Sequence, residues 1–203
     1  PIASLHSADE PGMSMGELLK NRLFWLMVVM MICGGASEQS VSQWASAFAE
    51  AGLGLSKATG DLAGPLSFAV LMGLSRVFYG RYGEKIDLKK FITVSTVLCL
   101  VAYGLMAFAP WPGVSLAGCG LCGFSVGILW PGTLSRASAV MRRGGTAMFA
   151  LLALAGDIGC SAGPALVGVV SDAADGSLKA GILAAAVFPV GLLICLLARK
   201  RSQ

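Results

Sequence analysis

The chain has 203 residues, 56% of them hydrophobic and only 13% charged, with a formal net charge of +4 and a mean hydropathy of +0.76. These proportions exclude a soluble domain of ordinary make-up, because the apolar residues recur in segments of membrane-crossing length. They also argue against a nucleic-acid partner, since the positive charge is divided among short loops instead of being gathered on one face. The 27 glycines suit close helix contacts: lipid gives helices no hydrophobic reason to associate, and small residues let their backbones touch.

The opening PIASLHSADEPGMSM is polar and lacks the basic start, apolar core and small-residue cleavage site of a secretory signal. A start at Pro1, without an initiator Met, reads as a fragment or a processed product. His6, beside Asp9 and Glu10, reads as a solvated linker residue, because no second histidine exists to complete a metal site. Residues 1–21 are therefore expected to form a polar cytoplasmic tail or the remnant of a central loop, and residues 22–201 a transmembrane domain. No cofactor or metal is expected.

A first span is predicted from Leu23 to about Ala49, entered after Lys20 and Arg22. Beyond Gly34 and Gly35 it turns polar, as SEQSVSQW, and at about 1.5 Å per residue Glu38 falls past the midplane yet within the membrane. An ionisable group there normally faces a bundle interior or a wet cavity. Four-residue spacing puts Glu38 with Ser42, and Gln39 with Gln43, on shared faces, and Trp44 either lines the same cavity or anchors in the outer interface. The alternative is a solvated Glu38 near the outer surface. A Gly-rich outer connector, AEAGLGLSKATGDLAG, leads to a second span starting near Leu62, with Pro65 within about its first turn, where the missing N–H is cheap.

That span reaches the inner interface at Arg76, Tyr79 and Arg81. The basic connector from Arg81 to Lys90 then reads as a cytoplasmic loop between the runs Leu62 to Phe78 and Phe91 to Phe108. The third span ends in APWPG, a turn that sets Trp111 at the outer headgroup level. A fourth span, about Val114 to Ala139, carries Gly123 and Gly127 as a small-xxx-small surface, and its Cys119 and Cys122 read as buried packing. In it Trp130 and Pro131 either shape a binding cavity or simply form a packed, kinked helix. Arg136, Arg142 and Arg143 mark the next inner loop.

A fifth span, Thr146 to about Val170, holds Asp157 roughly halfway across with no basic residue in its own run. Gly156, Gly159, Gly163 and Pro164 surround it, a pattern that suits an interrupted helix at a transport site. Asp157 either belongs to a translocation path or makes a structural bond to the backbone. The sixth span, about Leu178 to Ala198, has Pro189 as a kink and ends in Arg199, Lys200 and Arg201. With this threading only Lys57 and Lys179 of the 15 basic residues fall outside. The positive-inside rule thus supports six spans with both termini cytoplasmic. The chain divides into three spans plus three inserted in opposite orientations, the 3+3 arrangement expected of half a transporter built from inverted repeats.

On these features the chain resembles the C-terminal six-helix half of a major facilitator superfamily transporter, nearest in flavour to bacterial sugar permeases of the fucose-permease type. The family's signature loop, Gly-x-x-x-Asp-Arg/Lys-x-Gly-Arg/Lys-Arg/Lys, laid over Arg76 to Lys85, is kept at Arg81, Gly83 and Lys85. It is degenerate at Arg76, Gly80 and Glu84. The resemblance implies an all-α membrane protein of the bacterial cytoplasmic membrane, in which the first helix of each half lines a central cavity. It thereby carries a substrate or coupling role onto Glu38 and Gln39. Candidate substrate and coupling residues are thus Glu38, Gln39, Gln43, Trp44, Trp130 and Asp157, with Arg76, Arg81, Gly83 and Lys85 as a gating loop. The implied partners are a small polar solute such as a sugar, the lipid bilayer, a missing N-terminal six-helix half, and protons if Glu38 or Asp157 is protonated in symport. An enzyme is disfavoured because no nucleophile and base pair up near one interface, and a channel because polarity is local. A non-transporting receptor or assembly module of the same fold is the alternative.

Overall fold

A computed structural model describes residues 13–198. His6, Asp9 and Glu10 at one end, and Arg199, Lys200 and Arg201 at the other, lie outside the described residues. Every regular element among those residues is helical, and six segments are long and apolar enough to cross a membrane: Arg22–Ser42, Lys57–Tyr82, Leu88–Phe108, Pro112–Val140, Gly145–Ala173 and Leu178–Ala198.

Helix α1 (Met15–Lys20) precedes the spans and is set by a capping box: the Ser14 amide donates to Glu17 at 2.8 Å, and the Glu17 amide to the Ser14 hydroxyl at 3.3 Å. Its Leu18 is fully buried, so the stretch next to the first span docks on the bundle. Helix α2 (Arg22–Ser42) starts at an Asn21 cap and breaks at Gln43 and Trp44. The chain then continues as a short helix α3 (Ala45–Ala47) and a π-helical turn, Phe48–Gly52.

Helix α4 (Lys57–Tyr82) corrects two expectations. It begins at Lys57, not near Leu62, because Ser56 caps it and accepts from the Thr59 amide. Pro65 therefore lies in its third turn, not its first, and leaves the Asp61 carbonyl without its helical donor. The basic connector is also shorter than predicted. Arg81 belongs to α4, Lys89 and Lys90 belong to α5 (Leu88–Phe108), and between the helices run only a single 3-10 turn, Gly83–Lys85, then Ile86 and the α5 cap, Asp87.

Two further spans are broken just ahead of a proline, for one reason. The ring of a helical proline clashes with the carbonyl four residues back and offers it no N–H. Helices α6 (Pro112–Val126) and α7 (Leu129–Val140) part at Gly127 and Ile128, four and three residues before Pro131. Helices α9 (Leu178–Ala185) and α10 (Val187–Ala198) part at Ala186, three before Pro189. Helix α8 (Gly145–Ala173), in contrast, runs unbroken through Pro164, so the predicted interruption around Asp157 is absent. Its glycines serve contact: a methyl on Gly159 or Gly163 would overlap the carbonyl oxygen of Ile32 or Ala36 on α2. Gly123 does the same against the Phe68 carbonyl of α4, as the small-xxx-small reading requires. Arg136, expected in an inner loop, lies inside α7 and is 8% exposed; the loop proper is 141–144.

Candidate functional site

Glu38 lies about 24 Å along α2 from Arg22, and the helical path continues about 20 Å further through α3 and the π turn to Gly52. Within the span Arg22–Ser42 it stands in the last third, one turn before the break at Gln43 and Trp44. Its side chain is 13% exposed, too enclosed to be a solvated surface group. Facing it is Arg76, which the signature loop had assigned to a gate. The structure instead sets Arg76 inside α4, more than a turn before the helix ends. The Arg76 Nη2 lies 3.6 Å from Glu38 Oε2, an ion pair too long to be a hydrogen bond.

Arg76 is aimed by the Pro131 break. Because Pro131 has no N–H, the Gly127 carbonyl four residues earlier has no helical donor. The Arg76 Nε–H supplies one at 3.3 Å. One guanidinium thus joins the kink between α6 and α7 to the acid of α2, and it remains 46% exposed. Beside it opens a cavity of about 300 Å³ lined by Arg76, Tyr79, Trp130, Pro131 and Leu134.

Trp130 fills the gap between α7 and the α2–α8 contact. Its ring leaves no room for a methyl on Gly156 of α8, and it borders Gly34, which sits one turn before Glu38 on the same face of α2. The indole Nε1 is buried without a hydrogen-bond partner, and so is Glu38 Oε2. Trp130 lines the cavity and its N–H is an unspent donor there, whereas Glu38 stands outside the lining and its Oε2 faces the Arg76 guanidinium. A ligand oxygen complements that donor.

The remaining sequence candidates separate. Gln39 is half-buried and Gln43 exposed beside the break in the first span. Trp44 is half-buried, and its indole N–H donates to the Pro164 carbonyl at 3.1 Å, fastening the break to α8. Asp157 is exposed on α8, next in sequence to Gly156, and no ion pair among the described residues joins it to Glu38 or Arg76. Of the predicted gating residues Arg81 is exposed at the end of α4, and Gly83 and Lys85 form the 3-10 turn, Gly83 lying against the Tyr79 ring. That ring stacks on Phe91 at 6.1 Å and 7°. Sequence reasoning missed Tyr79 as a cavity wall and Arg76 as the partner of Glu38. The signal for the second was slight: Arg76 opens RVFYGRY, seven residues before the glycine that caps the helix after Tyr82.

Cys119 and Cys122 are free and fully buried, and the Cys119 thiol lies 3.7 Å from the Gly64 carbonyl, as packing residues do. Among the described residues no group of three or more His, Cys, Asp or Glu is placed to hold a metal ion.

The sequence model of the Major Facilitator Superfamily matches residues 3–164. Neither the comparison with curated proteins nor that with solved structures finds a match. The family match takes in the first four spans and the α2–α8 contact around Trp130 and Gly156, and on it the chain belongs to the Major Facilitator Superfamily.

Proposed function

We propose that this chain forms one wall of an alternating-access carrier that moves a small polar solute, of the sugar type, past Glu38, Arg76 and Trp130. Membership of the superfamily indicates a secondary transporter and not a catalytic enzyme, and six apolar spans make the protein a multi-pass membrane protein. The observation that carries the finer reading is the ion pair within two membrane spans between an enclosed Glu38 and a half-exposed Arg76 beside the Trp130 cavity. Charge at that depth is costly against lipid and is kept where water or a substrate passes. The unspent indole N–H suits an oxygen of a hydroxyl-bearing solute, and the indole offers a flat face for a sugar ring to stack on.

Glu38 is the coupling acid in this reading. On taking up a proton it loses its attraction for Arg76, so solute binding and proton binding are linked through one side chain. The 3+3 inverted repeat is supported by reciprocal pairing: the first span packs on the fifth as the fourth packs on the second. A further six-helix half supplies the facing wall, and both ends of this chain lie on the cytoplasmic side of a bacterial inner membrane, where the basic loops point. The polar tail and the span domain divide near residue 21.

Uptake by proteoliposomes holding the complete protein, across labelled sugars and organic acids with and without a proton gradient, tests this. Gradient-driven accumulation of a sugar is expected, with Glu38→Gln abolishing accumulation against the gradient and Asp157→Asn reducing uptake less. Accumulation unaffected by Glu38→Gln would remove Glu38 from coupling, and binding of a solute without uptake would favour a receptor.

A further inference from the structure

On the lipid-facing side of α4, away from the Trp130 cavity, a groove of about 360 Å³ runs between α4 and α6. Leu74, Val77, Phe78 and Tyr82 wall it on one side and Phe124 on the other, and Arg81 stands at its basic end. The α4 residues cover about 12 Å along the helix axis, the direction in which an acyl chain lies in a bilayer. Leu74, Val77, Phe78 and Tyr82 are 41–68% exposed, so the described chain leaves much of this wall open. The two ion pairs among the described residues, Arg76–Glu38 and Lys90–Asp87, leave Arg81 without a carboxylate partner. Lys85, Lys89 and Lys90 add positive charge at the same end.

We propose that this groove binds one anionic phospholipid of the adjacent leaflet, its acyl chain along Leu74, Val77 and Phe78 and its phosphate on the Arg81 guanidinium. The wall decides between lipid and a neighbouring helix. Helices meet in lipid on small residues, and the small residues of α4 with open space around them, Gly73 and Gly80, lie about 120° round the helix from the groove. The groove itself is lined by bulky rings and branched chains, which a flexible acyl chain moulds to and a second backbone cannot approach. A basic residue at the interfacial end of an apolar slot supplies the headgroup contact.

The full chain, purified in detergent, is titrated with dioleoylphosphatidylglycerol and with dioleoylphosphatidylcholine, and retained lipid is counted by native mass spectrometry. The phosphatidylglycerol is expected to be retained about five-fold more strongly, the effect of one base near a headgroup. Arg81→Gln should bring it to the phosphatidylcholine level with the helical circular dichroism intact, while Arg81→Lys keeps most of the preference. Lys89→Gln, outside the groove, should lower it only slightly. Equal retention of the two lipids overturns the proposal, as does a preference that survives Arg81→Gln or that falls as far with Lys89→Gln. A photo-crosslinker at Val77 in native membranes should label lipid; labelling of a polypeptide would assign the groove to a protein neighbour and overturn it too.

Discussion

Helices α2 and α4 have nearly the same mean hydropathy over their most apolar windows, 1.3 and 1.4, yet 61% of the first window is buried and 17% of the second. Hydropathy says that a segment enters lipid; it does not say whether the segment then faces lipid or protein. What separates the two is where their small residues point. Gly35 of α2 abuts the backbone of Gly156 on α8, and Gly159 and Gly163 of α8 abut Ile32 and Ala36 of α2, whereas Gly73 and Gly80 of α4 have nothing within 4 Å. The sharpest test reverses a sign between the two regions. Gly159→Ala drives a methyl into a backbone that cannot yield and should destabilise the protein by about 2 kcal/mol. Gly73→Ala meets open space, gains helix propensity and should stabilise by up to about 1 kcal/mol. Unfolding in detergent micelles reads both, and an equal loss at Gly73 would mean that the open face of α4 is packed in the protein.

The Glu38–Arg76 pair lies where these two regions meet, with one partner on each helix. A 3.6 Å pair with one side chain 46% exposed is screened, so a double-mutant cycle of Glu38→Gln and Arg76→Gln should return a coupling of only about 1 kcal/mol. Pro131→Ala gives the Gly127 carbonyl a helical donor and releases the Arg76 Nε–H. Its coupling to Arg76→Gln should be about 1 kcal/mol, that of one hydrogen bond. A zero coupling between Pro131 and Arg76, measured by the same unfolding, would show that the kink does not aim the arginine. In that case α4 alone positions the guanidinium.

The number of spans and the close-packing role of Gly123 could be read from the sequence, because each depends on local composition or four-residue spacing. The partner of Glu38 could not. A tally of basic residues counts Arg76 and Arg136 as loop charges, but both are helical, and Arg136 is buried. Their depth depends on where α4 and α7 end, and those ends are set by Gly83 and Met141, not by the charges themselves. The site is similarly hidden: Pro131 visibly breaks a helix, but which donor its orphaned carbonyl recruits depends on a residue 51 positions away. Asp157, which looked as isolated as Glu38, lies on an exposed face, because the glycines beside it turn the other side of α8 to α2.

The smallest effect lies outside both regions, in α1, where side-chain caps in water replace backbone contact in lipid. The Ser14 amide, then the Ser14 hydroxyl, hold the Glu17 carboxyl below its ordinary range, and Arg143 adds to this. A carboxyl whose folded value is lowered contributes stability that is present above the unfolded value of about 4.3 and is lost as pH falls through the folded one. Acidification below about pH 4 should therefore fray α1 while the spans stay intact. The reporter is Trp25, whose indole N–H donates to the Leu19 carbonyl at 2.7 Å. Hydrogen exchange at the α1 amides should rise in that pH window, and Glu17→Gln, which keeps an acceptor but cannot titrate, should remove the pH dependence while retaining most of the helix. Fraying in the same window in Glu17→Gln would place the titrating group elsewhere and leave the buried Leu18 as what holds α1 to the bundle. Helix α1 would then follow the rule of the α2–α8 contact, held by packing, with its capping box incidental.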